Sequence, residues 1–171
     1  MLTPSSKAKE IADKPARGRK SPRRQPAGAV TGYARAYLAA PLDRVAVIRK
    51  GLPAAVLVET SKAMQLSGEQ LYRLLHLSRA TMARKIAENG VLSPEVSERV
   101  LGLRRLIGQV EVMVRDSGEP AGFNAATWVA RWLNAPSPAL GDQKPGDFLD
   151  TVEGQALVSN LLARLQSGAY A

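Results

Sequence analysis

Residues 67–90 read SGEQLYRLLHLSRATMARKIAENG, and this run decides the fold. Ser67 at N-cap and Gln70 at N3 form a capping box. Leu71, Leu74 and Leu75 recur at i, i+3 and i+4, the apolar face of a short helix. His76-Leu77 breaks it in a tight turn. Ser78 caps the next helix, with Leu77 at N′ and Met82 at N4, where a hydrophobic staple forms. That helix runs to Glu88, and Asn89-Gly90 stops it. Two short helices joined by a tight turn are the organisation of a helix-turn-helix, whose second helix enters the major groove of DNA.

Placing Met82 and Ile86 inward turns Ala80, Thr81 and Arg84 outward, with Arg79 and Lys85 on the flanks. Arginine reads guanine bidentately at O6 and N7. Exposed N–H groups at a helix start suit a phosphate. The candidate DNA-binding residues are therefore Ser78, Arg79, Thr81, Arg84 and Lys85: Arg79 and Arg84 on bases or nearby phosphates, the others on phosphate. The competing reading is a solvated basic face with no ligand. The common motif keeps a small residue at Tyr72 and Gly at His76. Tyr72 is expected to press the two helices apart. His76 tolerates left-handed backbone better than most non-glycine residues and reads as a turn residue, not a metal ligand or a base.

Working outward, Tyr33–Leu38 and Leu42–Lys50 read as short helices broken at Pro41 and closed at Gly51. Pro53 opens a helix to about Gln65. Ser93-Pro94 opens the longest helix, in which Val96, Val100, Leu103, Ile107, Val110 and Val114 step by four and three. That seam fits a core-facing helix or, less well, a dimer contact. Asp116 to Pro120 is a loop. Asn124 caps a helix with Ala125, Trp128, Val129, Trp132 and Leu133 on its apolar face. A Pro/Gly-rich loop spans Pro136 to Gly146. Asp150-Thr151 then caps a last helix whose face is Leu157, Val158, Leu161, Leu162 and Leu165, stopped at Gly168. Strand signals are confined to Val45–Ile48 and Val56–Val58. The expected fold is all-α, with about seven short helices in two parts. Residues 33–116 form a helix-turn-helix domain, residues 117–171 a small helical domain, and residues 1–32 a basic, disordered tail.

Charge follows the same division. Residues 1–30 hold eight basic and two acidic side chains; residues 31–115 hold thirteen and seven; residues 116–171 hold three and six. The formal net charge is +9. A basic front seeks a polyanion; the acidic end suits a protein. Pro4, Pro15, Pro22 and Pro26 interrupt any helix in the tail, which lacks the aliphatic residues to form a core. The tail reads either as a solubilising arm or as a non-specific phosphate contact.

Much else is excluded. The chain has 171 residues, 45% hydrophobic and 23% charged, with no Cys and one His. A wholly disordered chain, a collagen and a disulfide scaffold do not fit, nor do thiolate metal sites. No apolar run reaches membrane-spanning length, so no membrane partner is expected. The absence of Cys suggests a reducing, cytoplasmic setting. No P-loop, dinucleotide fingerprint, nucleophile elbow or H-E-x-x-H occurs, so no enzyme activity and no cofactor is expected. Asp142, Asp147, Asp150 and Glu153 read as loop and helix-terminus acids.

Residues 45–171 resemble Xre-like antitoxins. In the first part the resemblance rests on Gly51-Leu52-Pro53, Leu66-Ser67, Gln70-Leu71, Leu74-Leu75, Leu77-Ser78, Thr81-Met82, Arg84-Lys85 and Leu92-Ser93-Pro94-Glu95. The end of the chain resembles their MbcA/ParS/Xre toxin-binding domain more specifically. That likeness runs through Ala126, Trp132-Leu133, Pro136, Ala139-Leu140-Gly141, Pro145, Leu149, Thr151 and Gly154, then Val158, Leu161, Arg164, Gly168 and Tyr170-Ala171. It departs at Asp142, where the family often has a second Gly. The resemblance implies a type II antitoxin that blocks a RES-domain toxin, an NAD-consuming or ADP-ribosylating enzyme, by lying over its active-site cleft. It also implies a homodimer that represses its own operon at operator DNA. Trp132, Leu161, Arg164, Leu165, Tyr170 and Ala171 are the implied toxin-binding candidates. Two other readings stand beside it: a DNA-binding regulator whose C-terminal helices only dimerise, and a basic RNA-associated protein.

Overall fold

A computed structural model describes residues 31–118 and 122–166. Eight α-helices occur among them: α1 (Gly32–Leu38), α2 (Pro41–Lys50), α3 (Ala55–Met64), α4 (Gly68–Leu74), α5 (Arg79–Ala87), α6 (Pro94–Asp116), α7 (Ala125–Leu133) and α8 (Val152–Gln166). Two short 3₁₀ turns, Pro138–Leu140 and Pro145–Phe148, join the last two. The all-α expectation holds; no β-strand occurs among the described residues, only isolated bridges such as Pro53 with Val91. The tail to residue 30, part of the loop before Gly122, and Gly168, Tyr170 and Ala171 lie outside the described residues.

The 23 residues of α6 make a rod about 35 Å long. Its middle is buried on nearly every side, from Val100 to Leu103 and from Leu106 to Val110, because α1, α2, α7 and α8 all pack on it. The 4-3 seam is therefore intramolecular: Val100, Leu103, Ile107 and Val110 are in the core, with Val96 and Val114 packed against it. Gly108 lets α1 cross at backbone distance; a Cβ there would stand 2.0 Å from the Tyr33 carbonyl oxygen. Glu111 holds the start of α1, accepting from the Ala34 N–H at 3.1 Å and from the Thr31 hydroxyl. Arg104 reaches the other way: it donates to Thr60 Oγ1 at 3.0 Å and covers the Tyr33 ring at 4.6 Å. Burial pushes the Tyr33 phenol above its ordinary range, with Arg104 opposing the shift.

One hydrophobic core runs through the molecule, from Ala54 and Leu57 through α6 to Val129, Leu133, Val158 and Leu162. Four expectations change in detail. Pro41 does not only break a helix; it stands at N1 of α2, where its missing N–H costs nothing. The helix expected from Pro53 begins at Ala55, because Pro53 pairs with Val91 instead. The apolar face of α7 is rotated from that expected. Ala125, Ala126, Val129, Ala130 and Leu133 are buried, while Trp128 is 36% exposed; small alanines let α7 approach α3 and α6 closely, leaving the indoles at the edge. On α8, Val158, Leu161 and Leu162 are buried, but Leu157 and Leu165 are exposed.

Candidate DNA-reading and protein-docking surfaces

The helix-turn-helix is built as its capping signals require. Ser67 Oγ accepts the Gln70 N–H at 3.1 Å, and Gln70 Oε1 accepts the Ser67 N–H at 2.8 Å. At the end of α4, the Leu77 N–H donates to the Tyr72 carbonyl at 2.8 Å and the His76 N–H to the Arg73 carbonyl at 3.1 Å. This pair of bonds is a Schellman motif, and His76 takes its left-handed position at φ 51°. α5 ends the same way, with Asn89 at φ 48° and the Gly90 N–H on the Lys85 carbonyl at 2.8 Å. The turn is also tied to α6: Arg99 Nη1 donates to the His76 carbonyl at 3.1 Å. Tyr72 does not wedge the helices apart. Its ring lies back over Gly68 of its own helix, where the absent side chain leaves room.

The structure places the five candidate DNA-binding residues on or beside one exposed face. Met82 is buried and Ile86 packs against the core, so Ser78, Arg79, Thr81 and Arg84 stand outward and Lys85 is half-buried. Ser78 Oγ accepts from the Thr81 N–H at 3.4 Å and from the Thr81 hydroxyl at 3.1 Å, which leaves the Ser78 proton free to donate outward. Arg79 faces Glu69 at 3.6 Å with both side chains exposed. Such a pair holds little energy and yields readily to a phosphate. Arg99, which sequence reasoning passed over, ties the turn to α6 through the Leu75 and His76 carbonyls.

A second surface lies on α7. Trp128 and Trp132 stack at 5.9 Å with an interplanar angle of 10°. Phe123 extends the ladder, tilted against Trp128 at 6.4 Å. Phe123 and Trp128 are exposed while Trp132 is half-buried and packed against the core. Phe123 was missed, although it sits at N′ of a helix capped by Asn124 with Trp128 at N4, the staple spacing already seen at Leu77 and Met82. Of the other residues proposed for a protein partner, Arg164 and Leu165 are exposed near the end of α8. Leu161 is 6% exposed and supports the core beneath them. Tyr170 and Ala171 lie outside the described residues. Gly141 and Asp142 both hold left-handed backbone, at φ 62° and 63°. Asp142 thus adopts the conformation that a second glycine would favour, one that aspartate tolerates better than most residues.

Among the described residues no group of His, Asp or Glu is arranged to hold a metal, and no helix is long and apolar enough to cross a membrane.

Comparison with known proteins matches two stretches of the chain. Residues 43–105 match the antitoxin Xre-like helix-turn-helix domain, and residues 121–168 match the antitoxin Xre/MbcA/ParS C-terminal toxin-binding domain. The chain is similar to the Prs ADP-ribosylating antitoxin of Sphingobium sp. (strain YBL2), at 49% identity over 139 residues, covering 81% of this chain and 87% of that protein. It is also similar to antitoxin Xre of Yersinia enterocolitica, at 24% identity over 102 residues, 59% of this chain and 63% of that one.

Proposed function

Because the chain belongs to the antitoxins that join an Xre-like helix-turn-helix to an Xre/MbcA/ParS toxin-binding domain, we propose that it neutralises a RES-type toxin by covering its active site and represses its own operon. The observation that carries this reading is the separation of two unlike surfaces on one core. A basic helix stands exposed in the first match, and an aromatic ladder with Phe123 and Trp128 exposed stands in the second. The Sphingobium relative is named for ADP-ribosylation, which suits a toxin that consumes NAD or transfers its ADP-ribose.

In this reading Ser78, Arg79, Thr81, Arg84 and Lys85 contact operator DNA. The protein binds as a homodimer whose two α5 helices lie about 34 Å apart over an inverted repeat. Residues 33–116 carry that part and residues 117–171 the toxin-binding part, with residues 1–32 a basic arm on the phosphates. Trp128 and Trp132 anchor the toxin, since large aromatics dominate interface energetics. Arg164, Leu165, Tyr170 and Ala171 extend the contact. Six acidic side chains against three basic ones in residues 116–171 complement a cleft that must be electropositive to hold an anionic dinucleotide. The complex works in the cytoplasm.

The test is co-expression with the product of the adjacent gene, with a tag on this chain alone. A stoichiometric partner that arrests growth when expressed by itself, and whose NAD consumption stops in the complex, is the expected result. Recovery of the chain alone, bound to its own promoter, would leave a simple regulator whose C-terminal helices serve dimerisation.

A further inference from the structure

Between α1, α6 and α8 lies a cleft that neither the recognition helix nor the aromatic ladder uses. Its polar walls are Tyr37, Arg105, Gln109, Gln155, Ser159 and Asn160, around a volume of about 270 Å³. Several of these groups are locked. Gln109 Nε2 donates to the Ser159 carbonyl at 2.9 Å, and the Ser159 hydroxyl returns a bond to Gln109 Oε1 at 2.7 Å. Gln155 Nε2 donates to the Leu149 carbonyl at 3.0 Å, and its amide fills the space over Gly102.

Arg105 is the exception. Its Nε–H is buried and meets no acceptor among the described residues, and none of the described carboxylates lines the cleft. Burial holds the guanidinium below the usual arginine range, and the nearby positive charge of Arg44 lowers it further. Natural proteins rarely leave a buried donor on a charged group unpaired, and a guanidinium that lines a polar cleft with that donor unmet calls for an anion. We propose that this cleft binds the phosphate group of a small molecule of about mononucleotide size, with Arg105 as the anion ligand. Phosphate fits better than carboxylate: its extra oxygens accept from Tyr37 and Asn160 as well as from Arg105, all of which line the cleft. A guanidinium fork matches phosphate bidentately. The volume approaches that of small-ligand pockets, which leaves room for a sugar or base beside the phosphate. The site joins α6, which frames the helix-turn-helix, to α8 of the toxin-binding match, so its occupant touches both.

Titration calorimetry of the full chain with AMP, adenosine, inorganic phosphate and acetate, at about 0.15 M salt, tests this. AMP is expected to bind saturably, one per chain, and at least about tenfold more tightly than adenosine. Arg105→Met should weaken AMP about tenfold or more, and it removes an N–H that has no partner to lose. Ala156→Glu, at an exposed position on the cleft wall, supplies an internal carboxylate. It should abolish AMP binding without lowering Tm. Arg84→Ala should leave AMP binding unchanged, which separates this site from the DNA-reading face. AMP and adenosine binding alike, no saturable binding of any phosphate, or unaltered AMP binding in Ala156→Glu would each overturn the proposal. Acetate competing as well as phosphate would overturn it in favour of a protein carboxylate.

Discussion

At the scale of single residues, His76 costs the fold something that its position demands. Left-handed backbone disfavours a side chain by about 1–2 kcal/mol, and glycine gives back about 0.5–1 kcal/mol in unfolded-chain entropy. His76→Gly should therefore stabilise the protein by up to about 1 kcal/mol, read as a higher urea midpoint at unchanged m-value. A lower midpoint would mean that the exposed imidazole makes a contact the turn needs. Arg84 is the opposite kind of residue: exposed, structurally free to change, and aimed outward from α5. Arg84→Ala should weaken operator binding by about 1–3 kcal/mol if it reads a base, with toxin neutralisation and Tm unaltered. A parallel loss of neutralisation would show that the two surfaces are not separable.

At the scale of elements, the crossing of α1 over α6 depends on Gly108. A Cβ there meets the Tyr33 backbone, which cannot turn away as a side chain does. Gly108→Ala should cost at least the 1–3 kcal/mol or so typical of overpacking, seen as a drop in Tm. The α7 ladder makes the complementary case. Trp128 is 36% exposed and stacks on Trp132 outside the core, so Trp128→Ala should lower Tm less than truncation of the core residue Leu133 while weakening toxin binding by about 2 kcal/mol or more. Unchanged affinity would move the anchor elsewhere. The elements that the sequence made legible are those with explicit chemistry at their ends. Ser67, Ser78, Ser93 and Asn124 each cap the helix expected of them. What periodicity could not show was which stripe of α7 faces inward. Trp128 and Ala126 lie on neighbouring stripes, and hydrophobicity alone favours the larger residue. The choice is made by how near α3 and α6 must come, a tertiary quantity. The cleft at Arg105 was equally hidden, since its walls come from three helices far apart in sequence and its defining trait is a missing partner.

At the scale of the whole molecule, charge and core pull in different directions. Charge divides the chain: residues 1–30 hold eight basic and two acidic side chains, ahead of the helix-turn-helix. If that arm touches phosphates, affinity should fall steeply with salt, by about a thousandfold or more between 50 and 200 mM for six or more phosphate contacts. Removing residues 1–30 should flatten that slope while preserving preference for the operator over random DNA. An identical slope would make the arm a spectator. The core unites what charge divides, because Leu57, Ile107, Leu133 and Leu162 belong to one packed interior. A proteolytic machine that pulls on either end therefore meets a single cooperative knot rather than two beads on a string. Once it gives way, a chain that held operator and toxin as proposed would release both in the same stroke, so the loss of one molecule would count as two simultaneous signals.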